Sequence, residues 1–167
     1  EGEEAALDII EGRVPNRMIQ GSQIKEEEMD LLPWPNINHF WDKPYNWGLK
    51  LFGHGEITPT ISLNTSRGCP FPCKFCGVQD VSGGRFRHVS AKRIFEHVVG
   101  LQEKYGARGI YFREDNFTVS LQRVEDFCDL VIQNGIDIKW ACESRVNKLS
   151  PVTIEKMARA GCVGLYV

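Results

Sequence analysis

From Ile57 onward the sequence switches repeatedly between two periodicities, and this alternation constrains the fold more than any other feature. Ile57–Asn64 reads as a strand. Ser90 then caps a helix whose apolar positions Ala91, Ile94, Phe95, Val98, Leu101 and Tyr105 recur at helical spacing, and Gly106 suits its C-terminal end. Residues 109–113 read as a second strand. Leu121, Val124, Cys128, Val131 and Ile132 mark a second helix, stopped at Asn134-Gly135. Residues 136–141 read as a third strand. Pro151 sits where proline favours a helix start, ahead of a third helix over 152–160, and residues 162–167 begin a fourth strand. Strands separated by helices need crossover connections, which are right-handed and generate a parallel sheet. The expected class is therefore α/β.

The first 56 residues lack this rhythm. Residues 3–10 read as a short amphipathic helix ended by Gly12. Beyond it come Pro15, Pro33, Pro35 and Pro44 and the acidic run Glu26-Glu27-Glu28, a density of proline that breaks regular elements. The same stretch holds Trp34, Phe40, Trp41, Tyr45, Trp47 and Phe52, and disordered segments are poor in aromatics. The segment 1–56 is thus expected to be a helix and an irregular linker that packs on something, with a short hairpin around Met18–Ile24. The periodic part, 57–167, forms a second domain.

Chemistry enters with Cys69-Pro-Phe-Pro-Cys73-Lys-Phe-Cys76. A CxxxCxxC run puts three thiolates on one short loop, and thiolates select zinc, copper(I) or iron–sulfur. A closed zinc site or an ordinary cubane takes four protein ligands. Here no nearby cysteine or histidine supplies a fourth at a familiar spacing, and three cysteines leave one iron of a cubane open. Cys128, Cys142 and Cys162 fall in expected helix or strand, where packing is the expected role. His39, His54, His88 and His97 are expected at the surface or partly packed.

The cysteine run, with Phe75 before its last thiol and the lead-in Thr60-Ile-Ser-Leu-Asn-Thr-Ser-Arg-Gly68, resembles the signature loop of the radical S-adenosylmethionine (SAM) enzymes. The resemblance implies a TIM-like (β/α) barrel of parallel strands. Of its usual six units this chain would supply three and a fourth strand, as a piece truncated after that strand. It implies a 4Fe–4S cluster on Cys69, Cys73 and Cys76, whose open iron chelates SAM and whose electron splits it into methionine and a 5′-deoxyadenosyl radical. Phe75 would lie near the adenine, and Gly68 and Gly77 would permit tight backbone paths around the cluster. Glu114-Asp115-Asn116-Phe117-Thr118 is similar to an acidic stretch that the family carries beside the methionyl part of SAM. Arg145, in Glu143-Ser144-Arg145, would pair with the SAM carboxylate or a substrate acid.

The start of the chain, with Ile19-Gln-Gly21 and Leu32-Pro-Trp-Pro35, looks like the exit from a cobalamin-binding domain. The branch implied is the cobalamin-dependent one, with cobalamin held outside these residues. Its members carry out radical methyl transfer and ring-forming rearrangements. A cobalamin-independent, methylthiotransferase-like enzyme and a non-catalytic structural metal module stay open as alternatives. Implied partners are a small-molecule substrate and an electron donor such as flavodoxin or ferredoxin, in a reducing, cytoplasmic setting. A net charge of −2, with scattered lysines and arginines, argues against a nucleic-acid surface, and no apolar stretch approaches a membrane span.

Overall fold

The computed structural model describes residues 2–13, 21–45, 47–51 and 54–167. They fall into two compact units, Glu1–Pro33 and Trp34–Val167. The first holds helix α1 (Gly2–Ile10), closed by Gly12 at φ +69°, and a 3-10 turn over Glu26–Leu31. Part of the hairpin expected around Met18–Ile24 lies outside the described residues; residues 21–24 carry no regular structure.

The second unit begins with a short helix α2 (Asn38–Trp41) and an antiparallel pair, β1 (Leu49–Leu51) and β2 (Gly55–Ile57). Its aromatics pack on the barrel part. Trp34 stacks on His97 at 4.1 Å, Trp41 lies 4.8 Å from Tyr105, and the Tyr105 hydroxyl donates to Asn38 Oδ1 at 2.5 Å. The apolar run around Ile57 is therefore split. Ile57 closes the hairpin, Pro59 interrupts, and the barrel strand β3 is only Thr60–Leu63. A two-residue ladder then joins β4 (Ser66–Arg67) to β5 (Arg87–His88), with the cysteine run and a short helix α3 (Val78–Ser82) between them.

The alternating elements follow: α4 (Ala91–Tyr105), β6 (Gly109–Phe112), α5 (Leu121–Gln133), β7 (Lys139–Glu143), α6 (Pro151–Arg159) and β8 (Cys162–Tyr166). Serine side chains cap all three helices: Ser90 accepts from the Arg93 amide, Ser120 from Arg123 and Ser150 from Thr153. The strands pair in parallel in the order β3-β6-β7-β8 and leave an open sheet, as in a partial barrel. The third strand starts later than its apolar residues suggest, at Lys139 opposite Gly109, and Ile138 is buried ahead of the paired stretch.

Register decides what each face of the sheet carries. Ile61, Leu63, Ile110, Phe112, Trp140 and Cys142 share the buried face and pack with Ile94, Val98, Val124, Phe127 and Val131 of α4 and α5. Phe117 stacks on Phe112 at 4.4 Å, and the Trp140 indole donates to the Ala160 carbonyl at 2.8 Å. The opposite face carries Ser62 and Tyr111 at one level, in register with Ala141, and Glu143 and Tyr166 at the next. In a parallel barrel this is the inner face, and the C-terminal strand ends hold the chemistry.

Candidate functional site

The chain enters the site from β3. Directly after it, Thr65 and Ser66 are drawn onto a buried carboxylate, Glu114, at the end of β6. The Thr65 amide donates to Glu114 Oε1 at 2.8 Å, and the Thr65 and Ser66 hydroxyls donate to Oε1 and Oε2. Arg123, on the first turn of α5, closes the set. Its Nη2 reaches Glu114 Oε2 at 3.2 Å and the Phe117 carbonyl at 3.0 Å, while Nη1 reaches the Thr65 carbonyl at 3.1 Å. The ion pair is sealed from water, with side-chain exposures of 2% and 0%. A charge buried this deeply is tolerated because nearly every lone pair and N–H around it is answered.

Gly68 follows at φ +78°, and a Cβ there would collide with the Arg85 carbonyl and the Ser82 side chain, so only glycine fits. Gly77 differs from expectation. Its φ is −80°, open to any residue, and a Cβ would meet no atom within 4 Å. Its backbone path therefore needs no glycine, and the space its missing side chain leaves is unfilled by protein.

Between the two glycines lies the cysteine run, an exposed turn held by few bonds. The Cys73 amide donates to the Phe71 carbonyl and the Cys76 amide to the Cys73 carbonyl, each at 3.0 Å, and Gln79 reaches the Pro70 carbonyl at 3.2 Å. Cys69 and Cys73 are half-buried and Cys76 is exposed; all three are free thiols. Among the described residues no three histidine, cysteine or acidic side chains converge closely enough to hold a single metal ion. The other cysteines differ in kind. Burial pushes the Cys128 thiol up to about 12, Cys162 up to about 11 and Cys142 well above its ordinary value, so they stay protonated and packed.

The remaining expected site residues separate in the same way. Phe75 is 94% exposed and belongs to no core, which leaves an aromatic face beside the thiols. In Glu114-Asp115-Asn116 only Asp115 is exposed. Glu114 is consumed by the ion pair, and Asn116 Oδ1 accepts from the Thr118 amide and hydroxyl at 3.1 and 3.0 Å. The Thr118 hydroxyl in turn meets Ser144 Oγ at 2.8 Å, tying the β6 loop to the end of β7. Arg145 reaches back to the cysteine turn: Nη1 lies 3.7 Å from Cys73 Sγ, and the guanidinium sits 4.2 Å over the Phe71 ring.

Two features have little sequence signature. Arg123 falls four residues before Phe127 and eight before Val131, on the buried stripe of α5, and that position was the available clue. On the inner face the Tyr111 hydroxyl donates to Glu143 Oε1, and its ring lies 5.5 Å from Tyr166. Burial and the Glu143 carboxylate push the Tyr111 hydroxyl well above the usual tyrosine range, so it stays a donor. Only strand register brings these three together.

The fold is thus an open parallel α/β sheet with a three-cysteine turn beyond the C-terminal end of its first strand. The family model of the radical SAM superfamily matches residues 63–167, and the chain belongs to that superfamily. It is similar to an uncharacterised methyltransferase of Pyrococcus horikoshii, 38% identical over 61% of this chain and 22% of that protein. It is also similar to the anaerobic magnesium-protoporphyrin IX monomethyl ester cyclase of Synechocystis, 26% identical over 74% of this chain and 25% of the relative. The cytidylyl-2-hydroxyethylphosphonate methyltransferase of Streptomyces wedmorensis is 26% identical over 80% and 25%. The chain thus spans about a quarter of the length of the curated relatives it matches. Among the described residues no helix is long and apolar enough to cross a membrane.

Proposed function

We propose that this chain carries the cluster- and SAM-binding part of a radical SAM methyltransferase acting on a small molecule, of the cobalamin-dependent branch. The observation that carries the reading is the three-thiol turn, which stands outside the core and is rooted in it at Thr65–Gly68. Cys69, Cys73 and Cys76 would hold a 4Fe–4S cluster, which when bound supplies the electron that cleaves SAM. Of the acidic stretch, Asp115 is the carboxylate open to a ligand, so it is assigned the SAM amino group. Glu114 and Asn116 shape the same loop from within. Phe75 offers the adenine a flat apolar face, Gly77 leaves room for close approach, and Arg145 supplies N–H groups for the SAM carboxylate.

Methyl transfer is favoured over the methylthiotransferase-like alternative because the relatives named here include two methyltransferases. A structural zinc module is disfavoured by the exposure of Cys76, and the sequence offers no nearby fourth cysteine or histidine at a familiar zinc spacing. A low-potential electron donor, such as a flavodoxin or ferredoxin, is the implied partner, and cobalamin is assigned to a part of the protein outside this chain. Anaerobic reconstitution with iron and sulfide tests the reading. The expected product is a brown protein with about four irons and four sulfides per chain. Its reduced electron paramagnetic resonance (EPR) signal should change when SAM is added. A colourless protein holding one zinc would refute it.

A further inference from the structure

We infer that Arg145 is a second anchor of the cysteine turn, and that its guanidinium, set against Cys73, raises the reduction potential of the cluster held there. The inference rests on the cluster reading above and adds to it a role for Arg145 that precedes SAM. Three observations place the side chain. Its Nη1 is 3.7 Å from Cys73 Sγ, within reach for the long hydrogen bonds that sulfur accepts. Its plane covers the Phe71 ring at 4.2 Å, which fixes the guanidinium from a second direction. Among the described residues no carboxylate pairs with it, so its charge is not already neutralised.

Both contacts lie on the turn, and Arg145 itself follows β7, 72 residues further along the chain from Cys73. The turn is thereby tied to the sheet at two ends, by Thr65 and Ser66 on Glu114 and by Cys73 and Phe71 on Arg145. The charge has a definite electrostatic consequence. A cluster that takes one electron from a low-potential donor gains one negative charge, which is spread over its sulfurs and thiolates. A fixed cation donating to one thiolate stabilises that reduced form more than the oxidised form, and potentials of such clusters follow net charge and hydrogen bonds to sulfur. Arginine suits the place because it is charged at any working pH and flat enough to stack on Phe71. Arg145 therefore acts through Cys73, as a positioning and tuning residue.

The test is the midpoint potential of the reconstituted full chain without SAM, read by EPR during titration with dithionite, alongside iron and sulfide counts. Arg145→Met should shift the midpoint to a more negative value. Arg145→Lys, which keeps the charge and loses the flat stack, should fall between that variant and the wild type. Phe71→Leu, which leaves the arginine but removes its platform, should shift the midpoint the same way by less. If Arg145→Met loses the cluster altogether, Arg145→Gln, a neutral donor of similar reach, gives the reading in its place. A neutral variant with a full cluster at the wild-type midpoint overturns this inference and leaves the cluster reading standing. A wild type that takes up no cluster overturns the cluster reading itself.

Discussion

The stretch from Thr65 to Gly77 is two regions built on opposite principles. Thr65–Gly68 is among the most constrained backbone in the chain, pinned by a fully buried ion pair and by a glycine that nothing else can replace. Cys69–Gly77 is an exposed turn with a handful of bonds and an aromatic ring left in water. The first region spends side chains on the fold; the second leaves them unspent. A site assembled this way keeps its geometry at the root and leaves its ligands free to close around a group that arrives later.

The largest effects are expected at the thiols. Cys69→Ala, Cys73→Ala and Cys76→Ala should each abolish stable cluster loading with no loss of fold stability. Cys128→Ala, Cys142→Ala and Cys162→Ala should load fully and cost about 1 kcal/mol in stability. Iron and sulfide counts paired with thermal melts separate the two groups, and a Cys73 variant with full loading would sink the ligand assignment. The reverse pattern is expected at the root. Arg123→Met or Glu114→Gln leaves a buried charge or a buried polar group without its partner, a change that costs about 3–5 kcal/mol. Urea denaturation would show it. The double variant Arg123→Met/Glu114→Leu should cost less than the two single losses added together, because no uncompensated charge remains.

Those boundaries explain what the sequence alone could and could not disclose. Helices α4 and α5 follow from apolar spacing and serine caps, and both run where that spacing places them. The three cysteines and the exposed carboxylate Asp115 are local signals. The partnership of Glu114 with Thr65, Ser66 and Arg123 is not local, since it spans up to 58 residues and depends on which strand lies beside which. The β1–β2 hairpin and the β4–β5 ladder escaped for a related reason: three- and two-residue strands are too short to show a period. In Tyr111, Glu143 and Tyr166, one-residue register is the whole message.

A smaller effect is expected at the exposed carboxylate after β6. Asp115→Ala should weaken SAM binding by about 1–3 kcal/mol, the loss of a charged hydrogen bond, while leaving cluster loading unchanged. Titration of SAM against the reduced EPR signal measures it, and an unchanged affinity would return Asp115 to the solvent-exposed surface. The least expected effect lies away from the site, at His97, whose imidazole is stacked on Trp34. Burial, with Arg93 adding to it, lowers its pKa from 6.5 to about 4. The unfolded chain therefore takes up the proton first on acidification. This contribution to stability is complete above about 6.5 and is lost as pH falls toward about 4. His97→Gln should flatten the stability curve across that window, and a curve of unchanged slope would show that His97 does not drive it.

The division among the cysteines also gives the protein a built-in fuse. Oxidants and alkylating reagents attack thiolates that water can reach; Cys76 is exposed and Cys69 and Cys73 are half-buried, while Cys128 and Cys142 are shut inside and the half-buried Cys162 is held protonated by its surroundings. With the proposed cluster on the turn, air damage should strip the turn first and spare the scaffold, so a bleached preparation would be a repairable shell that reductant, iron and sulfide can recharge. The same asymmetry gives the proposed cluster a labelling test: maleimide should modify the turn's thiols ahead of the other three, and more slowly once iron and sulfide have been loaded.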